Sequence, residues 1–115
     1  MLARENLLPN AVARWAAATP DTVAVQYADG ERLTYAELHD RGLRWAAALR
    51  GLGARPGVHV ATMVADDFAP HLAMLGVGWT GAVEVPLNTA YRGQSLRHAL
   101  ELTDVSIIVC AEEFV

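Results

Sequence analysis

The stretch Leu33-Thr34-Tyr35-Ala36-Glu37-Leu38 decides the reading of this chain, because it fixes where a long amphipathic helix begins. Thr34 and Glu37 stand at the spacing of a capping box. The threonine hydroxyl can accept from the Glu37 amide while the Glu37 carboxylate reaches back to the Thr34 amide. Beyond this start, Tyr35, Leu38, Gly42, Trp45, Leu49 and Leu52 recur at steps of three and four, which draws one apolar face. Glu37 with Arg41, and Asp40 with Arg44, fall at i,i+4 on the outer side. Gly53 supplies the stop.

From this helix the pattern continues as strand, helix, strand, helix, strand. The spacing predicts a strand over Val58 to Val64, almost free of charge, as a strand covered on both faces would be. A helix follows from about Asp67 to Trp79, with Asp66 or Asp67 as its cap. Ala82 to Val85 reads as a strand ended by Pro86. Ser95 to Leu102 reads as a helix, and Val105 to Cys110 as a strand of β-branched residues. Strands joined by helices imply parallel pairing with right-handed crossovers. Ahead of Leu33, Asn10 to Ala18 reads as a short helix with Val12, Trp15 and Ala16 on one face and Pro20 as its stop. Thr22 to Tyr27 and Arg32-Leu33 read as a hairpin about Asp29-Gly30. The fold class is α/β: a partial parallel sheet with crossover helices, preceded by a short helix and a β-hairpin. Ala111-Glu112-Glu113-Phe114-Val115 looks like the start of another element, so residues 1–115 read as a single incomplete domain.

Composition narrows the function. The chain has 115 residues, 53% of them hydrophobic, and a net charge of −4. This fits a globular core and opposes general nucleic-acid binding, which needs a positive field. The single cysteine, Cys110, permits no internal disulfide, and a reducing, cytoplasmic setting follows as the simplest expectation. Met1 to Asn6 lacks the apolar run of a signal peptide, and Leu72 to Leu87 falls short of the ~20 apolar residues of a membrane span.

Several motifs have two readings. Gly76-Val77-Gly78-Trp79-Thr80-Gly81 spells G-x-G-x-x-G, but a dinucleotide loop must follow a strand and open a helix. Here a helix precedes the glycines, so close helix packing and a helix stop are the expected roles. His98, Glu101 and Asp104 share a helix face that reads as solvated. Cys110 reads as a buried, inert thiol, and His39, His59, His71 and His98 show no metal-ligand spacing. Asn88-Thr89-Ala90-Tyr91-Arg92-Gly93 leaves the C-terminal end of a parallel strand, where open α/β sheets place ligands. Asn88, Thr89, Tyr91 and Arg92 could serve a ligand or form a structural turn.

Taken together, these stretches resemble the N-terminal segment of the adenylate-forming (AMP-binding) superfamily. Leu33 to Leu38 is similar to the family's LTYaEL helix entry. Ala46 to Leu49, Leu52-Gly53 and Pro56-Gly57 are similar to its A-x-x-L-x-x-x-G-x-x-x-G-D-x-V passage. Gly81-Ala82-Val83-Glu84-Val85-Pro86-Leu87-Asn88 is similar to its G-A-x-x-V-P-L-N strand and loop. Thr89 to Gly93 with Leu96-Arg97-His98 resembles acyl-CoA ligases near the crotonobetaine/carnitine-CoA ligase group. The chain departs from the pattern at Gly57-Val58-His59-Val60, where Gly-Asp-x-Val is usual, and at Ala65-Asp66-Asp67, where a Pro-Asn pair is common.

The resemblance implies an ATP-dependent acyl-CoA ligase, with ATP, Mg and CoA as cofactors of a full-length relative. The family's phosphate loop with its Lys, its Tyr-Gly-x-Thr-Glu motif, its ribose-binding Asp and its catalytic Lys have no match here. No catalytic residue, metal ligand or cofactor is therefore assigned to this chain alone. The expected role is a scaffold, with Asn88 to Arg92 near the cleft. Its partner would be the remainder of a ligase, or another copy through exposed sheet surface. A standalone interaction module and a piece of another adenylate-forming enzyme, such as a peptide-synthetase adenylation domain, are the alternatives.

Overall fold

The computed structural model describes residues 7–65 and 68–111. The elements run α1 (Leu8–Ala18), β1 (Val23–Gln26), β2 (Arg32–Thr34), α2 (Tyr35–Gly51), β3 (His59–Met63), α3 (Ala69–Thr80), β4 (Val83–Pro86), α4 (Gly93–Thr103) and β5 (Ile107–Cys110). β1 and β2 form an antiparallel hairpin with an irregularity between Val23 and Val25. The other strands form a parallel sheet in the order β4-β3-β5. The α/β class and the parallel pairing agree with the sequence pattern.

The capping box forms as the sequence dictates. The Glu37 amide donates to Thr34 Oγ1 at 3.2 Å, and the Thr34 amide donates to Glu37 Oε1 at 3.0 Å. The helix closes with a paired lock: the Gly53 amide reaches the Arg50 carbonyl and the Ala54 amide reaches the Leu49 carbonyl, both at 3.0 Å. This is the Schellman arrangement, and it requires the left-handed φ of 103° that Gly53 adopts. On the outer face, Asp40 and Arg44 meet at 3.1 Å.

β3 is the centre of the sheet, and Val60, Ala61, Thr62 and Met63 are all buried. Val60 joins Leu49, Ala54 and Val77 in one core cluster. Val12, Leu33, Leu38, Phe68, Leu72 and Leu75 form a second, where α1 and the hairpin meet α2 and α3. Tyr27 stacks on Phe68 there, with ring centroids 4.4 Å apart. His59 points to the opposite side of β3 from Val60. A ring nitrogen of His59 lies 2.7 Å from the carbonyl of Thr103, tying the end of α4 to that face. α3 and α4 thus cross opposite faces, as right-handed connections from β3 to β4 and from β4 to β5 require.

α2 and α3 approach closely because glycine stands at their crossing. A Cβ at Gly76 would lie 2.6 Å from Trp45 Cβ and 3.3 Å from the Ala46 amide. A Cβ at Gly42 would meet Leu75 Cβ at 3.2 Å. This contact explains why Ala46 is fully buried, although the apolar spacing singles out Trp45 instead.

The structure corrects several sequence expectations. α1 begins two residues earlier than Asn10, with Pro9 in its first turn, where its missing N–H costs nothing. Trp15 is 48% exposed and leans on Tyr35 at a centroid distance of 6.2 Å. Leu52 is 65% exposed, because it serves as the cap residue where α2 turns away from its partner. Pro86 belongs to β4, paired with Thr62, and does not lie beyond the strand. An edge strand tolerates a proline whose nitrogen faces away from its neighbour. The cap of α3 is Phe68, without a side-chain cap bond. Asp66 and Asp67, expected there, lie outside the described residues, as do residues 112–115 of the element expected from Ala111 to Val115.

Gly76→Ala is expected to destabilise the fold by about 1–3 kcal/mol through overpacking against Trp45. Gly51→Ala, which meets nothing within 4 Å, is expected to stabilise it by about 0.4–1 kcal/mol. Urea titration followed by circular dichroism checks the opposite signs.

Hydrogen bonding from the Thr34 backbone, then from its side chain, and the charge of Arg41 hold the Glu37 carboxyl below its ordinary value of 4.5. A carboxylate lowered in the folded state contributes its stability above the unfolded value and loses it as pH falls through the folded value. Stability should therefore decline as pH drops below about 4.5, and Glu37→Gln should flatten that part of the profile. Thermal midpoints of the two proteins from pH 6 to about 3 measure the difference.

Candidate functional site

β3 and β4 end together at their C-terminal edge, and two features gather there. One is the β4–α4 loop, and the other is a small cavity between the sheet and α3.

In the loop, the sequence places Asn88, Thr89, Tyr91 and Arg92, and the structure brings them together as a self-bonded turn. Asn88 Oδ1 accepts from the Ala90 amide at 2.8 Å, an Asx turn, and the Asn88 carbonyl accepts from the Tyr91 amide at 3.0 Å. The Arg92 guanidinium folds back and donates from Nη1 to the carbonyls of Thr89 at 2.6 Å and Tyr91 at 2.7 Å. The Ser95 hydroxyl donates to the Arg92 carbonyl at 2.8 Å and accepts from its amide at 3.3 Å, which closes the first turn of α4. Arginine carries only donors, so its role in this turn is to gather carbonyls. Asn88, Tyr91 and Arg92 are exposed, and Tyr91 presents its ring at the rim.

The glycine-rich stretch ends a helix. Gly81 is the C-cap of α3 with φ 77°, and its amide bonds back to the Gly78 carbonyl. A Cβ at Gly78 would meet Pro9 Cγ at 2.7 Å, so this glycine seats α1. The Arg50 guanidinium donates to the Trp79 carbonyl at 2.7 Å. A cation therefore meets the negative end of the helix, as the dipole favours.

The cavity, of about 270 Å³, is lined by Thr62, Val64, Pro70, His71, Met74, Glu84, Pro86 and Leu87. Buried Thr62 donates its hydroxyl proton to Glu84 Oε2 at 2.8 Å. His71 Nδ1 is closed to solvent and has no hydrogen-bond partner. Sequence reasoning missed this group because Thr62 and Glu84 lie on different strands and His71 on a helix, and only the register joins them.

His98, Glu101 and Asp104 lie exposed along and just past α4, with Asp104 as its left-handed C-cap at φ 51°. Cys110 is half-buried, because β5 is an edge strand. Among the described residues no three His, Cys, Asp or Glu side chains converge to hold a metal ion. No helix described is long and apolar enough to cross a membrane. The glycine stretch presents a helix C-terminus, which disfavours a phosphate there, and the Arg92 guanidinium engages two loop carbonyls through Nη1.

A family profile described as AMP-binding enzyme matches residues 12–115. The chain belongs to the AMP-binding enzyme family. Its described fold is that of the N-terminal subdomain of adenylate-forming enzymes. It is similar to a methyl-dioxo-octahydroindenyl-propanoyl:CoA ligase of Rhodococcus jostii, 39% identical over 107 residues, covering 92% of this chain and 20% of that one. It is also similar to one of the linear gramicidin synthase subunits of Brevibacillus parabrevis, 35% identical over 95 residues, covering 83% of this chain and 2% of the synthase. Among solved structures it resembles the O-succinylbenzoate coenzyme A synthetase of Bacillus subtilis in complex with AMP, at a TM-score of 0.84 and 25% identity, covering 93% of this chain and 28% of that one. This member of the AMP-binding family thus spans about a fifth of the length of the Rhodococcus ligase.

Arg92→Ala is expected to speed hydrogen exchange at the amides of Ala90 and Tyr91 severalfold, while the exposed site shifts global stability by less than about 1 kcal/mol. Exchange measured by nuclear magnetic resonance, beside a urea titration, separates the two effects.

Proposed function

We propose that this chain serves as the N-terminal scaffold of an ATP-dependent acyl-CoA ligase, near the crotonobetaine/carnitine-CoA ligase group. In such an enzyme a carboxylate attacks ATP to give an acyl-adenylate and pyrophosphate. The CoA thiol then displaces AMP and leaves the thioester. The observation that carries this reading is the 39% identity with a CoA ligase across 92% of the chain. It is supported by the shared fold with a CoA synthetase that binds AMP. ATP, Mg and CoA would be held mainly by other parts of such an enzyme, because the family's phosphate loop and its Lys have no match in this sequence.

The chain acts here as one incomplete domain in a cytoplasmic enzyme of acyl or fatty acid metabolism. β4 and β5 are both edge strands, with Val83 47% and Ile108 52% exposed. Exposed strand edges and apolar side chains favour a covering partner, which would be the remainder of the ligase. The Asn88 to Arg92 loop would then sit at the rim of the cleft, held rigid by Arg92 and Ser95. The similarity to a gramicidin synthase favours a second reading, a peptide-synthetase adenylation domain.

A chimera tests the proposal: this chain replaces the matching segment of the Rhodococcus jostii ligase, and thioester formation is followed by CoA consumption. A scaffold predicts ATP-dependent activity within about tenfold of the parent, equivalent to a barrier change of about 1.4 kcal/mol. A correctly folded chimera that neither activates its acid nor consumes CoA would overturn it.

A further inference from the structure

The cavity between α3 and the end of the sheet is not explained by scaffolding. Glu84 sits half-buried on β4, facing the helix layer with Val60 and Thr62. A carboxylate drawn into a protein is stabilised by a cation or by several donors. Here Thr62 supplies one hydroxyl donor at 2.8 Å. Among the described residues no lysine or arginine lines the cavity. A carboxylate has about four acceptor positions, so Glu84 keeps acceptor capacity on the side open to the cavity. His71 completes the wall, with its Nδ1 closed to solvent. The remaining walls, Val64, Pro70, Met74, Pro86 and Leu87, are apolar.

From this juxtaposition we infer that Glu84, Thr62 and His71 form a binding site for a small organic ammonium ion carrying a short apolar body. The ammonium would donate to Glu84 while its hydrocarbon part lies against Met74, Pro70 and Leu87. A cavity of about 270 Å³ suits a body of benzyl or butyl size, since about 150 Å³ holds a benzene ring. The same charge excludes carboxylates and phosphates. The site is therefore distinct in chemistry from any pocket for the acid or nucleotide of the proposed ligase reaction, and it stands whether or not that proposal does.

The test is a titration of the whole protein with n-butylammonium and benzylammonium, followed through backbone amide resonances. Butyrate and n-butanol serve as probes of matched shape. The expected result is saturable shifts confined to the neighbourhoods of Thr62, His71, Met74 and Glu84 for the ammonium ions, with at least tenfold weaker binding of butyrate. Glu84→Gln keeps an acceptor for Thr62, and it should weaken ammonium binding at least tenfold while leaving the response to butanol unchanged. Met74→Ala, at a side chain 40% exposed, should raise the preference for benzylammonium over n-butylammonium severalfold without lifting the exclusion of butyrate. Equal binding of butyrate, indifference to Glu84→Gln, or an unchanged size preference in Met74→Ala would each overturn the assignment.

Discussion

The rest of the structure depends on the contact between α2 and α3 at Gly76. With no side chain at that position, the backbone of α3 comes within reach of Trp45 Cβ and the Ala46 amide. Gly42 admits Leu75 by the same means, and Gly78 admits Pro9 of α1. Three helices are thereby drawn into one layer over β3. Interiors are packed to crystal-like density, so a single methyl group at this crossing would push α2 and α3 apart. The burial of Val60 and Val77 follows from that closeness.

The helix layer in turn sets what the sheet can display. β3 is covered on both sides and carries no free surface, while β4 and β5 remain edges. At the C-terminal ends of β3 and β4 the β4–α4 loop and the cavity by Glu84 lie side by side. The two differ in how they treat their polar groups. The loop spends its own donors and acceptors internally, through Asn88, Arg92 and Ser95. The cavity leaves His71 Nδ1 without a partner and Glu84 with one hydroxyl donor. A turn that satisfies itself is suited to holding shape, whereas an unfilled set of acceptors is suited to an occupant.

Membership in the AMP-binding family is consistent with that division of labour. The chain spans about a fifth of the length of the Rhodococcus ligase it matches. The packing of α1, the hairpin and α3 around Leu33 and Leu72 serves stability. β4 and β5 leave their outer edges unpaired in the sheet described.

Much of this was determined by the sequence alone. The capping box at Thr34, the stop at Gly53, the order of helices and strands, and the reversed sense of the Gly76 to Gly81 motif all follow from local rules. Capping, turn formation and periodic burial act between residues a few positions apart. The resemblance to adenylate-forming enzymes was legible for the same reason, since it rests on short motifs in a fixed order. Only the tertiary structure decided that Arg92 folds onto Thr89 and Tyr91, that Ala46 is buried in preference to Trp45, that Pro86 stays within its strand, and that Thr62, His71 and Glu84 share one cavity. The Arg92 contacts are local, three and one residues apart, and rest on a side-chain conformation that no motif names, whereas the other three depend on the register of β3 against β4 or on the distance between α2 and α3. That register and that distance arise from packing among residues far apart in the chain, and no local pattern encodes them.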